Sequence, residues 1–210
     1  MHKQAYLTGI MSSMPHSFDI LINSYLNDNI GIDTNFLNKE LCQGLHTNIL
    51  HLQQDGRMQS AGIGNSHIKD VQQQMRGDTI YWMDKNHDNV FEQEFLARVD
   101  ELITYLNQTC YAGINGYEFH YAVYEEGRGY KRHKDQFRNN SNRKYSLVNY
   151  LNQNWLEEDG GQLLVYQNET VQKILPQAQT AVFFKSDEME HEVSASGRSR
   201  MSVTGWLKST

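Results

Sequence analysis

The sequence predicts an α+β protein in which a layer of helices packs on one face of a β-sandwich or jelly roll. Three observations predict it. Up to about residue 112, apolar residues recur mainly at helical spacing; after Gly116 they fall into short alternating runs broken by turn signals; and the helical part precedes the strand-rich part. A chain of 210 residues is long enough for one such domain with a sizeable core.

Taken in order, residues 1–15 are polar and irregular, end at Pro15 and read as a leader to a single domain over 16–210. Its helical part is expected over about 16–112 and its jelly-roll core over about 113–208. Phe18, Ile20, Leu21, Ile22, Tyr25 and Leu26 suggest a first short helix, and Ile30-Gly-Ile32 an edge strand. Asp33 or Thr34 is the expected cap of a second helix. Phe36, Leu37, Leu41, Leu45, Ile49, Leu50 and Leu52 form its apolar face, and Asp55-Gly56 its end. From Arg57 to Arg76 the chain is rich in Gly, Ser and Gln without periodicity, which predicts a mobile loop able to fold over a substrate. Asp78, Ile80 and Trp82 then alternate with Thr79 and Tyr81 in strand fashion, and a third helix is expected near Phe91–Cys110.

Eight strands follow: Tyr117–Tyr124, Tyr130–His133, Tyr145–Leu151, Gln162–Tyr166, Val171–Leu175, Thr180–Phe184, His191–Ala195 and Met201–Leu207. That number of short strands at this spacing is what predicts a sandwich or jelly roll.

Composition removes several classes of function. A net charge of −6 argues against broad phosphate-backbone binding, so no nucleic-acid partner is expected. No apolar run approaches the roughly 20 residues that span a bilayer. The N-terminus lacks an apolar segment followed by a small-residue cleavage site. Cys42 and Cys110 make no Cys-x-x-Cys and no disulfide framework. The expectation is a cytoplasmic protein without a membrane partner.

Chemistry concentrates in Tyr124–Asp135, Tyr-Glu-Glu-Gly-Arg-Gly-Tyr-Lys-Arg-His-Lys-Asp. On a strand, or just past its end, the period of two points His133 and Asp135 to the same face. His191, at the start of a later strand, would complete an imidazole–carboxylate–imidazole set across the sandwich. Such a set leaves about three positions open on an octahedral metal, the facial triad of non-heme Fe(II) oxygenases. Taken alone, His-x-Asp in a chain of nine histidines is ordinary. His120, on the strand leading into Tyr124, has no assigned role. Arg200 strengthens the reading, because a dicarboxylate co-substrate needs a forked cation at the far end of its cavity. Arg200, Ser202, Thr204 and Trp206 share one strand face, with Thr204 as a further donor and Arg198 as a competitor of the same parity.

These residues also carry a family resemblance. His191-Glu-Val, followed by Arg200-Met-Ser-Val-Thr-Gly-Trp206, resembles the C-terminal motif of the 2-oxoglutarate- and Fe(II)-dependent prolyl 4-hydroxylases of the hypoxia-inducible-factor type and their bacterial relatives. Gly129-Tyr-Lys-Arg-His133-Lys-Asp135, Tyr150-Leu-Asn-Gln-Asn-Trp155, Gly160-Gly-Gln-Leu163 and Arg76-Gly-Asp78-Thr-Ile-Tyr-Trp82 are similar to further segments of that family, in the same order.

The resemblance implies a double-stranded β-helix (jelly roll) with N-terminal helices braced on one sheet. It implies Fe(II) on His133, Asp135 and His191, and 2-oxoglutarate held by Arg200 and Tyr150, with Tyr124 and Thr204 beside it. O2 is consumed, and ascorbate is expected as an accessory. Arg76, Asp78, Arg143 and Trp206 would meet substrate, with an Asp78–Arg143 salt bridge and Trp206 lining the proline pocket. The activity implied is 4-hydroxylation of a prolyl residue in a protein, with a translation protein such as elongation factor Tu as partner. Two readings stay open beside it: a 2-oxoglutarate oxygenase acting on another residue or a free amino acid, and a non-catalytic metal-binding jelly-roll module. The second has no need of a dicarboxylate clamp.

Overall fold

The computed structural model describes residues 18–61, 76–136 and 142–209. The leader and most of the loop expected between Arg57 and Arg76 lie outside the described residues. Helix α1 spans Asp19–Asp28 and stops at Asn29, whose left-handed backbone (φ 58°) lets its N–H close on the Tyr25 carbonyl. Helix α2 spans Lys39–Gln54 and α3 spans Val90–Thr109. Asn89 caps α3, its side chain accepting from the N–H groups of Phe91 and Glu92. The cap expected at Asp33 or Thr34 is not used. Asn38 caps α2 by accepting from Leu41 N, and Asp33 instead belongs to strand β1 (Gly31–Asp33), where its Oδ1 accepts from Asn35 N. The Asp33 side chain is taken by this local bond, and Phe36 and Leu37 are buried between it and the helix start.

Eleven strands occur among the described residues. The seven-stranded sheet runs β1, β9 (Ala181–Lys185), β6 (Arg143–Tyr150), β11 (Arg200–Lys208), β4 (Gly116–Tyr124), β3 (Asp78–Trp82) and β2 (Gln59–Ser60). The four-stranded sheet runs β5 (Tyr130–His133), β10 (Glu190–Val193), β7 (Leu163–Gln167) and β8 (Thr170–Ile174). All eight strands expected after Gly116 are present. Strand β2 departs from the expected loop, because Gln59 and Ser60 pair with Ile80 and Thr79.

The larger sheet is covered on both faces, so its central strands are apolar almost throughout and simple alternation is muted. On β4, Phe119, Tyr121 and Val123 join the cluster that also contains Leu41, Leu45 and Ile49 of α2 and Phe95, Val99 and Leu102 of α3. Ala122 and Tyr124 face the other way and pack with Leu163, Val165 and Val193 of the smaller sheet. Strands β11 and β6 divide likewise: Met201, Val203 and Leu207 turn to the helices, Val148 and Tyr150 to the interior between the sheets. The two-sheet interior is where the polar residues of the site collect.

Candidate active site

Strands β5 and β10 are antiparallel neighbours with His133 opposite His191. Their rings lie 4.3 Å apart. Asp135 follows β5 and turns back between them: its Oδ1 is 3.4 Å from His133 Nε2 and 3.6 Å from His191 Nε2. One donor atom from each residue falls within a 4.8 Å set. Cis ligands on an octahedral ion with bonds of about 2.1 Å sit about 3 Å apart, so the three atoms already approximate one triangular face.

The chain fixes the tautomer of both imidazoles. His133 Nδ1 donates to Lys131 O at 2.7 Å, and His191 Nδ1 to Met189 O at 3.2 Å. A carbonyl can only accept, so each Nε2 is left with its lone pair directed at the triad. Tyr130 stacks on the His133 ring at 3.5 Å, and Phe184 packs against His191. The other Asp135 oxygen, Oδ2, accepts from Ser146 Oγ at 2.7 Å, and Ser146 Oγ in turn lies 2.9 Å from Ser186 Oγ. Burial opposes a charge on Asp135, but His191, His133 and the Ser146 hydroxyl more than offset it and hold the carboxyl well below the usual range. Burial pushes His191 down, with His133 acting in the same direction and Asp135 against it, which favours the neutral, ligating form.

Arg200 lies across the interior, 2% exposed, and lines the same cavity as the triad. Its Nε donates to Gly161 O at 2.8 Å. Gly160 and Gly161 both have positive φ (68° and 66°), and a Cβ on Gly161 would come within 3.0 Å of Trp155 and 3.2 Å of Arg200 Cδ. The turn that presents this carbonyl therefore requires glycine. Trp155 Nε1 donates to Gly160 O at 2.9 Å and steadies the same turn. Arg198, the competitor of equal parity, is half-exposed and occupied elsewhere, paired with Asp159 at 3.0 Å and stacked on Trp155.

Among the described residues no carboxylate pairs with Arg200. A buried guanidinium without a counter-ion is costly, and so is the buried Tyr150 hydroxyl beside it, whose proton has no acceptor among the described residues because a guanidinium can only donate. Tyr124 lies on the other side of the guanidinium. A bound carboxylate would satisfy both orphaned groups, so the residues present fit a dicarboxylate such as 2-oxoglutarate as well as the triad fits Fe(II). Thr204 Oγ1 is 3.2 Å from Ser202 Oγ on the face expected from strand parity.

All the sequence-derived site residues line this one cavity except Tyr150, which sits behind Arg200, and Arg143. The expected Asp78–Arg143 bridge does not form. Arg76 takes Asp78 in a two-pronged bond at 2.6 and 2.8 Å, and Arg143 pairs with Glu118 at 2.7 Å. Arg76 bridges to Tyr130 while Asp78 faces Tyr124, so the two are neighbours in the cavity lining; Arg143 starts β6, three strands along the sheet from β3, beside Lys208. Its guanidinium instead stacks on Trp206 at 3.4 Å. Three residues were missed by sequence reasoning. Ser146, on apolar β6, and Ser186, just past the end of β9, are undistinguished serines, marked only by the bond of the first to Asp135 and of the second to the first. His120 lies in the cavity lining between Trp82 and Trp206.

Comparison with known proteins agrees with this geometry. Residues 119–208 match the model of the 2OG-Fe(II) oxygenase superfamily. The structure is similar to a Pseudomonas putida prolyl-4-hydroxylase at 30% identity and a TM-score of 0.81, over 90% of this chain and 97% of that one. It is also similar to a Trichoplax adhaerens prolyl hydroxylase in complex with a hypoxia inducible factor peptide fragment. There identity is 28% and the TM-score 0.80, over 90% of this chain and 88% of that one. A Phytophthora capsici prolyl 4-hydroxylase, at 17% identity and a TM-score of 0.73 over 98% of this chain and 70% of that one, shares the fold. The chain belongs to the 2OG-Fe(II) oxygenase superfamily, as an enzyme of the prolyl 4-hydroxylase type.

Proposed function

We propose that this protein hydroxylates C4 of a prolyl residue within a protein substrate, with elongation factor Tu, suggested by the sequence resemblance, as the first substrate to test. One observation carries the reading: a single cavity holds a three-donor metal face at one side and an uncompensated buried arginine at the other. Two similar enzymes are prolyl hydroxylases, one of them in complex with a peptide, which supports a polypeptide substrate.

In this reading His133 Nε2, Asp135 Oδ1 and His191 Nε2 hold Fe(II). Arg200 and Tyr150 take the C5 carboxylate of 2-oxoglutarate, with Thr204 and Tyr124 beside it. When bound, Fe(II), 2-oxoglutarate and O2 supply the oxidation that turns a C–H bond into C–OH and yields succinate and CO2. The chain contributes orientation and exclusion of water. The Lys131 and Met189 carbonyls hold the imidazoles in their ligating tautomer, and Ser146 fixes which Asp135 oxygen faces them. Gly161 aims Arg200. Trp206, held between the Arg143 guanidinium and the His120 ring, lines the cavity and would border the place of a pyrrolidine ring. The Arg76–Asp78 pair, itself neutralised, borders the cavity where polypeptide would enter.

The test is to incubate the protein with Fe(II), ascorbate, 2-oxoglutarate and elongation factor Tu. The expected result is succinate together with one added oxygen on a proline, both abolished in Asp135→Ala. Succinate with no oxygen added to any prolyl substrate would refute the substrate class. Persistence of both products in Asp135→Ala would refute the triad.

A further inference from the structure

His120 is a buried histidine in the active cavity that neither metal nor co-substrate binding uses. It is 1% exposed, sits on β4 opposite Trp82 and Thr204, and its ring stacks on Trp206 (5.4 Å, 26°) with Trp82 tilted against it at 4.9 Å. Among the described residues, the side-chain group hydrogen-bonded to its Nε2 is Arg76 Nη2, at 3.4 Å. A guanidinium can only donate, so Nε2 is the acceptor and the proton resides on Nδ1. That Nδ1–H is buried and has no partner among the described residues, and neither has the Trp206 Nε1–H on the adjoining ring. Burial, then the Arg76 and Arg143 charges, push His120 down to about 3, with only Asp135 pulling the other way, so the imidazole is neutral in use.

Two orphaned N–H donors on stacked rings in the cavity lining, with no acceptor for either among the described residues, call for an acceptor from outside the chain. The acceptor that a polypeptide brings beside every proline is a backbone carbonyl. We propose that His120 is a substrate-positioning residue, its Nδ1–H donating to a main-chain carbonyl oxygen flanking the target proline. The proposal rests on the prolyl reading above. It gives His120 a task distinct from that of Arg200: registering the polypeptide, not the co-substrate.

The experiment compares wild type with His120→Leu and His120→Asn on a prolyl protein substrate, alongside 2-oxoglutarate turnover without substrate. His120→Leu should raise the substrate KM about tenfold, as loss of one buried hydrogen bond would, with kcat and the 2-oxoglutarate KM little changed. His120→Asn, whose amide nitrogen lies where Nδ1 lies, should recover much of that loss. An unchanged substrate KM in His120→Leu, or equal rises for substrate and 2-oxoglutarate, overturns the proposal; so does an Asn variant no better than Leu. If wild type turns over 2-oxoglutarate yet modifies no prolyl substrate, the prolyl reading falls, and this proposal with it.

Discussion

Ser146→Ala isolates the least conspicuous part of the site. Ser146 is fully buried, and its Oγ is 2.7 Å from Asp135 Oδ2 and 2.9 Å from Ser186 Oγ. Removing it takes a donor from a charged acceptor, worth about 1.5–3 kcal/mol, and strands the Ser186 hydroxyl as well. At about 1.4 kcal/mol per factor of ten, Fe(II) affinity should fall about ten- to hundredfold, the range for partners that orient metal ligands. The assay is anaerobic Fe(II) titration of the metal-free protein, with Mn(II) as an air-stable control and thermal melting in EDTA to register any loss of fold. Ser186→Ala, which leaves the bond to Asp135 in place, should cost less. If Ser146→Ala binds Fe(II) as tightly as wild type, Asp135 is held by its histidine neighbours alone and the relay through Ser146 has no part in ligation.

Other outcomes follow from single contacts. Trp155→Phe removes the Nε1–H bond to Gly160 O while keeping an aromatic ring. The 2-oxoglutarate KM should rise a few-fold with Fe(II) affinity unchanged, since a neutral hydrogen bond contributes about 1 kcal/mol; steady-state kinetics at saturating substrate will read it. Cys42 is buried with its thiol pushed up by burial, whereas Cys110 is exposed. A disulfide reagent should therefore titrate one thiol in the native protein and a second only on unfolding. Burial opposes the Glu118 charge, but Arg143 and Lys208 prevail and hold its carboxyl below the ordinary value of 4.5. A depressed carboxyl adds stability above its unfolded pKa and loses it as pH falls through the folded one, so melting temperature should drop on acidification from about pH 4.5 downward. Glu118→Gln should flatten that limb.

Much of the site is legible in sequence because strand parity is. His133 and Asp135 one residue apart, and Arg200, Ser202, Thr204 and Trp206 in alternation, keep their relations whatever the neighbours, since a strand points every second side chain the same way. What parity cannot carry is which strand lies beside which. Arg143 finds Glu118 because β11 lies between β6 and β4, with Lys208 reaching both. Asp78 finds Arg76 because the pair is local and both residues line the cavity. His120 is obscure for a different reason: its partners Trp82 and Trp206 come from β3 and β11, on either side of β4, and no one segment shows the stack. The helix cap was misplaced because Asp33, Thr34 and Asn38 are all competent capping residues, and packing of Phe36 and Leu37 chose between them.

The metal face and the carboxylate clamp stand on different sheets. His133 and His191 lie on strands of the four-stranded sheet and Asp135 just beyond one of them, whereas Arg200, Thr204 and Tyr150 belong to the seven-stranded one. Fe(II) held by the first set and 2-oxoglutarate held by the second would together tie the smaller sheet to the larger. Ligands at a hundred times Kd add about 2.7 kcal/mol to folding, and here that gain should be mechanical and local. Amide exchange should slow most in β5 and β10 when both ligands are present and little in α2 or α3. Protection spread evenly over helices and strands would mean that the sheets need no tie. With the metal face and the clamp on separate sheets, departure of both ligands would leave the sheets joined by their packed interior alone.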